Sequence, residues 1–430
     1  MKILRYQDPG YLAFVKRLKR SAKPAPGVQE LVAQIIAEVS QKNDAALFAY
    51  AKRFDGVSLT AKSLYVSEGE FQTAAKSVTA QTKRAIAASL KNIHLFAKHS
   101  LRKDWSIKNT QGATVGERYM PYQRVGVYVP GGKAPLVSTA LMTAGFAQAA
   151  GVPEIIAATP CAIDGSVNPA LLYAMRQAGV HRAIKVGGAQ AIAALALGTR
   201  SIDPVHKIFG PGNRFVVEAK RQLIGTVSID LLPGPSEILI LADRTGNPDF
   251  IAADMLAQAE HGGDSSVGFI TDSGVLLDKV AQAIERQMQT LSRQKIMSEV
   301  LKRGTFLLQV KSFAEAVAIC NEHAPEHLSL ISAHEEKWLP QITTCGAIYL
   351  GNHSPVAVGD FLAGPSHTLP TGGGGRSFSG LRADQFQRRT SIVRMDESSV
   401  AKSLASVQEF ARIEGLDAHG ESVAIRLTKS

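Results

Sequence analysis

Short apolar runs rich in valine and isoleucine alternate with longer amphipathic stretches through most of the chain after residue 118. The short runs have the length of buried strands, and the longer stretches have the length and spacing of helices. Alternation of this kind favours parallel strands joined by right-handed crossovers, as in a doubly wound sheet. The first cycle predicts strands at 124–129, 154–158, 181–186, 207–209 and 227–231 and helices at 136–150, 169–179, 189–198 and 214–225.

A second cycle predicts strands at 238–242, 267–271, 306–310, 328–331 and 347–350 and helices at 249–261, 275–291 and 313–323. The predicted fold class is therefore α/β, with two doubly wound, Rossmann-like domains whose sheets are rich in parallel strands. The chain ends differ from this pattern. A polar helical arm precedes Pro24, and the tail after Arg382 alternates strand-like and helical pieces without a core of its own. We expect both arms to pack on a partner subunit.

Glycine-rich turns follow several of the predicted strands. Open α/β sheets bind ligands where their strands end, and glycine beside a helix N-terminus suits a phosphate group. No Gly-x-Gly-x-x-Gly fingerprint is present, so the turns alone identify no dinucleotide, and ordinary tight turns remain an alternative. A further glycine cluster, four consecutive glycines within 371–376, predicts a mobile flap over a site. The four turns are Pro130-Gly131-Gly132, Gly187-Gly188-Ala189-Gln190, Gly210-Pro211-Gly212-Asn213 and Gly234-Pro235-Ser236-Glu237.

The segment 321–328, Asn-Glu-His-Ala-Pro-Glu-His-Leu, contains the most distinctive chemistry. It holds two Glu-His pairs, and Pro325 between them should end the preceding helix near His323. Glu326 and His327 would then open a loop or strand. An adjacent carboxylate and imidazole are usual components of proton transfer. From these residues alone, two exposed pairs without a function remain an alternative of equal weight.

Composition narrows the class of protein. The 430 residues, 45% hydrophobic and 20% charged, are enough for two to three globular domains. Cys161, Cys320 and Cys345 are far apart in sequence, which argues against a disulfide framework and for a reducing compartment. No segment has the pattern of a signal peptide or the length of a membrane span. We therefore expect a cytoplasmic protein with no membrane association.

The chain is basic, with 48 basic and 37 acidic residues and a net charge of +11. A nucleic-acid partner is one interpretation of this excess. Because no nucleic-acid-binding motif accompanies the charge, we expect no such partner and interpret the local basic cluster as a solvated helix face. The excess would also attract anionic small molecules, including a dinucleotide. The cluster consists of Lys16, Arg17, Lys19, Arg20 and Lys23.

Residues able to bind a metal are scattered along the chain. Gln258 and His261 lie three residues apart on the predicted helix at 249–261, on one face near its end. Asp360 and His419 lie far downstream, and no cysteine pair or His-Glu-x-x-His motif supports zinc. From spacing alone, an ordinary packed or exposed side chain remains the alternative for each.

Taken together, the motifs resemble those of the histidinol dehydrogenase family, from near the N-terminus to the tail and in the family's order. Departures are peripheral: Ser366 replaces a frequent asparagine, and 374–376 is richer in glycine than usual. The resemblance rests on 124–135 (RVGVYVPGGKAP), 186–194 (VGGAQAIAA), 207–213 (KIFGPGN), 234–237 (GPSE), 258–261 (QAEH), 324–328 (APEHL), 358–360 (VGD), 369–373 (LPTGG) and 414–419 (EGLDAH).

The resemblance implies an enzyme that oxidises L-histidinol through L-histidinaldehyde to L-histidine in two NAD-dependent steps, ending histidine biosynthesis. His327 would accept the alcohol proton, and Glu326 would activate the water that hydrates the aldehyde. One zinc per active site would be bound by Gln258, His261, Asp360 and His419. NAD would be bound by Tyr128, Gln190 and Asn213. The substrate would contact the zinc ligands, His327, Ser236, His367 and Glu414.

The resemblance also implies a homodimer in which Glu414 and His419 complete the partner's active site. Two alternatives stay open. One is a relative of the same fold that oxidises another polar alcohol, such as a sulfonated diol, although Glu414 and His367 argue against it. The other is a nucleic-acid-binding or scaffold protein.

The expected division of the chain into domains is an N-terminal arm (1–23), a discontinuous catalytic and zinc domain (24–127 and 237–381), an NAD-binding domain (128–236) and a C-terminal arm (382–430).

Overall fold

The computed structural model describes residues 1–19, 27–131, 135–262 and 264–428. Arg20, Lys23 and Gly132, which the sequence analysis singled out, lie outside the described residues, as does the expected boundary between residues 23 and 24. The strands are β1 (Lys2–Arg5), β2 (Trp105–Lys108), β3 (Thr114–Pro121), β4 (Arg124–Tyr128), β5 (Glu154–Ala158), β6 (Arg182–Ile184), β7 (Lys207–Phe209), β8 (Ser228–Ile229), β9 (Glu237–Ala242), β10 (Ser266–Thr271), β11 (Thr305–Gln309), β12 (His327–Ile331), β13 (Ala347–Leu350) and β14 (Gln387–Arg394).

The helices of the two cycles follow the predicted stretches within a few residues, whereas helices α2 to α5, α12, α14 and α15 were not predicted. A π-helix, Ala51–Asp55, continues directly from α3. The helices are α1 (Tyr11–Leu18), α2 (Val28–Lys42), α3 (Asp44–Tyr50), α4 (Glu68–Ser77), α5 (Ala80–Ser100), α6 (Val137–Ala149), α7 (Pro169–Gln177), α8 (Gly188–Leu197), α9 (Arg214–Gln222), α10 (Pro248–Ala259), α11 (Gly274–Met288), α12 (Gln294–Arg303), α13 (Phe313–His323), α14 (Glu335–Trp338), α15 (Val356–Phe361), α16 (Glu397–Glu414) and α17 (Asp417–Ala424).

The first predicted cycle forms a five-stranded parallel sheet in the order β6-β5-β4-β7-β8. The chain begins at the central strand β4, winds outwards to one side, and then returns to the other side through β7. Neighbouring strands that lead to opposite sides leave a crevice at their carboxyl ends, where such sheets bind ligands. The crevice here lies between Tyr128 at the end of β4 and the turn after Phe209 at the end of β7.

Helices α2 to α5 cover this five-stranded sheet. Val32 and Ile35 of α2 share a buried core with Ile192 of α8, and Ile93 of α5 shares another with Phe146 of α6. The expected domain bounds, which group 24–127 with the second sheet, stay a prediction. An amphipathic helix shows in its sequence which face is buried, but not which of two apolar sheets buries it.

The second cycle forms a six-stranded parallel sheet in the order β1-β11-β10-β9-β12-β13. Its outermost strand β1 lies at the N-terminus of the chain and pairs with β11, from Lys2 opposite Phe306 to Arg5 opposite Gln309. The N-terminal segment is therefore built into the chain's own sheet, and it is not the purely helical arm that we expected. A four-residue strand with a charge at each end gives too short a hydrophobic pattern to recognise.

The tail joins a small antiparallel sheet in the order β14-β3-β2 and ends in α16 and α17, which pack on each other. Few tail residues are buried, and the apolar side chains of Phe410 and Ile413 are about two-thirds exposed, at 65% and 64%. The α/β class with parallel-rich sheets is confirmed, whereas packing of the arms on a partner stays a prediction.

In the described part of the chain, no helix combines the length and the apolar character that a bilayer span requires.

Candidate active site

The starts of β9 and β12 bring the predicted proton-transfer residues together. The two strands are parallel neighbours, with His327 opposite Ile238, so the residues that enter them meet at the amino edge of the six-stranded sheet. The turn containing Ser236 therefore lies at a strand entrance, and our assignment of it to a strand exit was wrong. The preceding strand, Ser228–Ile229, belongs to the other sheet.

The helix before this edge ends at His323, as predicted from Pro325. Ala324 adopts a left-handed conformation, with φ 49° and ψ 65°, which costs a non-glycine residue on the order of 1 kcal/mol. Its N–H still donates to the Cys320 carbonyl oxygen, at 2.8 Å. This reversal turns the chain directly from α13 into β12 and places Glu326 inside the protein.

Glu326 is buried and held by three hydrogen bonds from the entrance of β9. The Ser236 hydroxyl and the Glu237 N–H donate to Oε2 of Glu326, at 2.7 and 2.8 Å. In return, the Glu326 N–H donates to Oε1 of Glu237, at 3.2 Å. Burial raises the pKa of Glu326 to about 7, although its hydrogen bonds and the neighbouring His327 oppose the rise. The carboxyl group can therefore gain or lose a proton near neutral pH.

His327 lies between two carboxylates. Its Nδ1 is 3.0 Å from the Glu237 carbonyl oxygen, which favours a proton on Nδ1. Glu326 Oε2 is 3.5 Å from Nδ1, and Asp360 Oδ1 is 3.5 Å from Nε2. Burial lowers the pKa of His327, but the charges of Glu326 and Asp360 outweigh it and raise the pKa to about 9. The distance of 3.5 Å is long for a hydrogen bond, so we treat the contact with Asp360 as an ion pair.

Asp360 and His367 complete this cluster. The residue before Asp360 is a glycine, and a Cβ atom at this position would lie 2.2 Å from the hydroxyl oxygen of Tyr349. Nδ1 of His367 is 3.1 Å from the Asp360 carbonyl oxygen, and its Nε2 is 3.1 Å from the Thr139 hydroxyl of α6. Burial lowers the pKa of His367, which favours a neutral ring. Burial raises the pKa of Asp360, but the neighbouring histidines outweigh it and lower the pKa overall.

Three of the four predicted zinc ligands lie in this region. Gln258 is buried in the last turn of α10, which contacts α15, and its Nε2 has no hydrogen-bond partner among the described residues. Asp360 Oδ1 also lacks one. His261 lies beyond the end of the helix, not on it as predicted, and is exposed with Nδ1 3.2 Å from the Ala257 carbonyl oxygen. The carboxylate of Asp360, the amide oxygen of Gln258 and the imidazole of His261 are of the kinds that suit a cation preferring nitrogen and oxygen ligands.

The structure does not bring the fourth ligand to this site within one chain. His419 on α17 and Glu414 at the end of α16 are both exposed. Over the described ranges, no side-chain hydrogen bond or ion pair joins either residue to the residues around Glu326. Accordingly, no group of three or more His, Cys, Asp and Glu side chains forms a metal site within the chain as described.

The predicted NAD ligands meet at the carboxyl edge of the other sheet. Tyr128, Gln190 and Asn213 line one cavity of about 950 Å³. The Gly188 N–H donates to the Tyr128 hydroxyl, at 3.0 Å, and the Asn213 side chain caps the start of α9. The amide nitrogen of Gln190 is buried without a partner among the described residues. Two helix N-termini beside an unpartnered amide suit a phosphorylated ligand.

A buried ion pair fixes the turn that contains Asn213. Lys220 and Asp230 are both fully buried and pair with each other. Lys220 Nζ also donates to the Gly210 carbonyl oxygen, at 3.0 Å, and the Gly210 N–H donates to Asp230 Oδ2, at 2.7 Å. Gly210 has φ 112°, and a Cβ atom there would lie 2.2 Å from the Tyr128 carbonyl oxygen. Only glycine allows this close approach between the ends of β4 and β7.

A family model described as histidinol dehydrogenase matches residues 18–427. The chain belongs to the histidinol dehydrogenase family. A histidinol dehydrogenase of Syntrophotalea carbinolica is 41% identical over 100% of both chains, and one of Rhizobium meliloti is 41% identical over 99% of this chain and 98% of its own. The crystal structure of histidinol dehydrogenase from Elizabethkingia anophelis has a TM-score of 0.94 at 35% identity, covering 99% of this chain and 98% of that one.

Within this histidinol dehydrogenase fold, the expected flap is anchored to the active-site edge. The Gly372 N–H donates to Glu237 Oε1, at 3.1 Å, and the Gly234 N–H donates to the Thr371 hydroxyl. Arg376 donates to the Glu322 carbonyl oxygen. Sequence reasoning overlooked Glu237, which bonds both Glu326 and this segment. A glutamate at the first position of an otherwise apolar strand was the available signal.

The first Glu-His pair, Glu322 and His323, lies outside the cluster around Glu326 and His327. Glu322 is exposed and pairs with Lys19, at 2.9 Å, which agrees with a surface role. His323, however, is buried, with Nδ1 3.0 Å from the Leu18 carbonyl oxygen, so a surface position was wrong for it. Its ring also meets Phe306 edge to face, at 6.1 Å between centroids. His323 thus fixes α1 on the six-stranded sheet.

Proposed function

We propose that this chain oxidises L-histidinol to L-histidine through L-histidinaldehyde, using NAD for both steps and one zinc ion per site. The observation that carries the proposal is the buried pair of Glu326 and His327 beside the side chains of Gln258 and Asp360, in a chain of the histidinol dehydrogenase family. Two bases with different pKa values suit a reaction that contains two different proton transfers.

His327 is the proposed base for alcohol oxidation. Its Nδ1 is held by the Glu237 carbonyl oxygen, so Nε2 faces the substrate region beside Asp360. In the neutral form of the ring, Nε2 would accept the hydroxyl proton while the adjacent carbon loses hydride. Because the pKa of His327 is about 9, this form becomes more abundant as the pH rises towards 9. The carboxylates of Glu326 and Asp360 would stabilise the imidazolium that forms. NAD, when bound, would supply the hydride acceptor for both oxidations.

Glu326 is the proposed base for the second oxidation. The aldehyde has no hydroxyl group on the carbon that must lose hydride, so water adds first. Glu326 would remove a proton from this water, and its pKa of about 7 matches the task near neutral pH. The neutral hydrate would then lose one hydride and two protons to give the carboxylate. Ser236, which donates to Glu326, would also contact the substrate, together with His327 and His367.

We propose that Gln258, His261 and Asp360 hold the zinc, with His419 of a second copy as the fourth ligand. These ligands would also surround the substrate. The ion would bind nitrogen atoms of histidinol and so orient the reacting carbon. The test is the zinc content of His261→Ala by elemental analysis, with His334→Ala, an exposed histidine outside the site, as the control. Zinc content equal to that of the control would remove His261 from the ligand set.

Tyr128, Gln190 and Asn213 are the proposed NAD ligands, since they line the cavity at the switch point of the five-stranded sheet. We also propose a cytoplasmic location, which the three free cysteines support. Neither a nucleic acid nor a membrane has a part in the proposal.

We propose that two copies form a homodimer whose tails complete each other's sites with Glu414 and His419. The exposed apolar residues of the tail support this arrangement. The test mixes Glu326→Gln with His419→Ala under conditions of subunit exchange. Shared sites predict recovery of up to about one quarter of wild-type activity, since random pairing gives half heterodimers with one intact site each. No recovery after proven exchange, or full activity of a monomer, would contradict the shared site.

The reaction itself is tested by incubating the protein with L-histidinol and excess NAD. Two equivalents of NADH are expected for each histidine formed. One equivalent with accumulating aldehyde would contradict the two-step reaction. Absence of turnover after zinc reconstitution, together with oxidation of another polar alcohol, would contradict the substrate assignment.

A further inference from the structure

A loop that leaves the six-stranded sheet is anchored on a helix of the other sheet. Asp360 lies in α15, which follows β13 of the six-stranded sheet, and the 362–367 loop continues from α15. Two hydrogen bonds join this region to α5, one of the helices that cover the five-stranded sheet. The chain after Asp360 is therefore fixed to the helical layer of the five-stranded sheet. The two bonds run from Ser89 Oγ to the Phe361 carbonyl oxygen, at 2.7 Å, and from Asn92 Nδ2 to the Leu362 carbonyl oxygen, at 2.8 Å.

The end of the 362–367 loop is held by α6, the helix that follows the central strand β4 of the five-stranded sheet. The Ser366 hydroxyl donates to the Met142 carbonyl oxygen, at 3.2 Å. The Thr139 hydroxyl oxygen lies 3.1 Å from Nε2 of His367. Thr139, Met142 and Ser366 are all buried, so water competes little for these bonds. The loop therefore joins the six-stranded sheet to α6 through buried polar contacts.

The two partners of His367 determine which of its ring nitrogens carries the proton. The Asp360 carbonyl oxygen, 3.1 Å from Nδ1, can only accept a hydrogen bond, so Nδ1 must carry a proton. In the neutral ring Nε2 is then an acceptor, and the Thr139 hydroxyl donates to it. A hydroxyl group of α6 thus orients an imidazole whose other nitrogen holds the backbone of Asp360.

A second buried threonine of α6 directs its hydroxyl elsewhere. Thr143 lies one turn further along the helix, and its hydroxyl donates to the Thr139 carbonyl oxygen, at 2.7 Å. Such a bond to the carbonyl four residues earlier stays within the helix. Thr143 is as deeply buried as Thr139, so the two differ chiefly in what their hydroxyl groups contact. They form a matched pair in which only Thr139 bonds to His367 among the described residues.

We propose that Thr139 is a positioning residue for the zinc site: its hydroxyl orients His367, and His367 holds the backbone of Asp360 where its carboxylate can bind the metal. This inference rests on the proposed zinc site. Groups that orient metal ligands are part of a metal site, and losing one lowers metal affinity or activity by about 10- to 100-fold. Pro135, just before α6, lines the cavity of the proposed NAD site, so the same contact also fixes Asp360 relative to that cavity.

The test measures the zinc affinity of the full chain by competition with a chelator, without substrate or NAD, so that neither catalysis nor a contact of His367 with the substrate enters. Thr139→Val keeps the shape and removes the hydroxyl, and it should weaken zinc binding by about tenfold. Thr139→Ser keeps the donor and should bind zinc within about twofold of the natural protein. Thr143→Val, the matched control, removes a buried hydroxyl from the same helix and should also stay within about twofold.

A double-mutant cycle tests whether Thr139 acts through His367. His367→Asn keeps an N–H donor for the Asp360 carbonyl oxygen but has no atom at the position of Nε2. In this background Thr139→Val should change zinc affinity by less than about twofold, because the hydroxyl has already lost its partner. A further loss of about tenfold in this background would overturn the route through His367 and assign the effect to the packing of α6.

The outcomes separate this inference from the proposed zinc site. If His261→Ala binds zinc as tightly as the natural protein, the assignment of the zinc site fails, and the role of Thr139 fails with it. If His261→Ala loses zinc and Thr139→Val binds it normally, the role of Thr139 is overturned while the zinc site stands. Equal losses in Thr139→Val and Thr143→Val would also overturn it. Thermal melting of each variant verifies that the folded protein is compared.

Discussion

The two parallel sheets present their predicted functional residues at opposite kinds of edge. The five-stranded sheet has Tyr128 and Asn213 at its carboxyl edge, where doubly wound sheets ordinarily bind ligands. The six-stranded sheet has Ser236, Glu326 and His327 at its amino edge. Strand direction alone therefore does not decide where a site forms. Edges with a predicted site differ from other edges in having polar side-chain atoms that lack hydrogen-bond partners in the described part of the chain.

The carboxyl edge of the six-stranded sheet illustrates this point. Asp243 follows β9 there, and its carboxylate accepts hydrogen bonds from the Ser332 hydroxyl, the Ala333 N–H and Thr245. Burial raises its pKa, but these bonds outweigh it and lower the pKa overall. At the amino edge, Gln258 Nε2, His327 Nε2 and Asp360 Oδ1 have no hydrogen-bond partners among the described residues. At the carboxyl edge the loops satisfy the buried carboxylate, whereas at the amino edge these polar atoms are left to bind a ligand.

The strongest test of the amino edge is Glu326→Gln. The amide can still accept the bonds from Ser236 and Glu237, but it cannot remove a proton from water. Oxidation of histidinaldehyde should fall by about 10²- to 10⁴-fold, the usual contribution of a general base. Oxidation of histidinol should fall by less, because His327 serves that step. Single-turnover assays of each half-reaction measure the two effects.

Glu322→Gln is the matched control, since it changes the glutamate of the other Glu-His pair. Glu322 is exposed and pairs only at the surface with Lys19. Both half-reactions should stay within about twofold of the natural rate, because surface ion pairs contribute little. Equal losses in the two half-reactions of Glu326→Gln would contradict its assignment to the hydration step.

The carboxyl edge of the five-stranded sheet is tested by Lys220→Met, which leaves Asp230 buried without its partner. The free energy of unfolding should fall by about 3–5 kcal/mol, as for other broken buried ion pairs. The turn at Gly210 loses a hydrogen bond as well, so NAD affinity should fall, while zinc content is unchanged. Arg286→Met removes an exposed cation that pairs with the exposed Asp249 at the surface, and should cost less than about 1 kcal/mol. Denaturant unfolding of both variants measures the difference, and equal losses would contradict a special role for the buried pair.

Glu237→Ala tests whether the two catalytic groups depend on one positioning residue. The variant removes the acceptor for the N–H groups of Glu326 and Gly372. Both half-reactions should slow by about 100-fold, because a displacement of about 1 Å can have this effect on a reacting pair. Glu237→Gln keeps an oxygen acceptor and should restore the rates to within about tenfold of natural. Failure of glutamine to restore activity at normal stability would assign the effect to the charge of Glu237.

The sequence pattern was sufficient for most of the fold and for part of the site. The helix end at His323 followed from Pro325, and the parallel sheets followed from the alternation of apolar runs. The strand β1 was too short to recognise, and helix faces did not reveal which sheet they cover. Whether the Ser236 turn lies at a strand exit or a strand entrance of a sheet depends on which sheet each flanking strand joins, and this pairing is a long-range property. Glu237 stood out as a glutamate at the start of an apolar strand, but the two backbone N–H groups that its side chain binds lie far away in the sequence.

The pH dependence of aldehyde oxidation gives the finest comparison between the groups at the amino edge. Burial raises the pKa of Glu326 to about 7, and the base is active only as the carboxylate. The rate should therefore rise about tenfold per pH unit below 7 and level off above it. Ser236 stabilises the carboxylate through its hydroxyl, so Ser236→Ala should move the midpoint to higher pH. Glu326→Gln should abolish the rise. If the midpoint stays in place in Ser236→Ala, a group other than Glu326 controls the step.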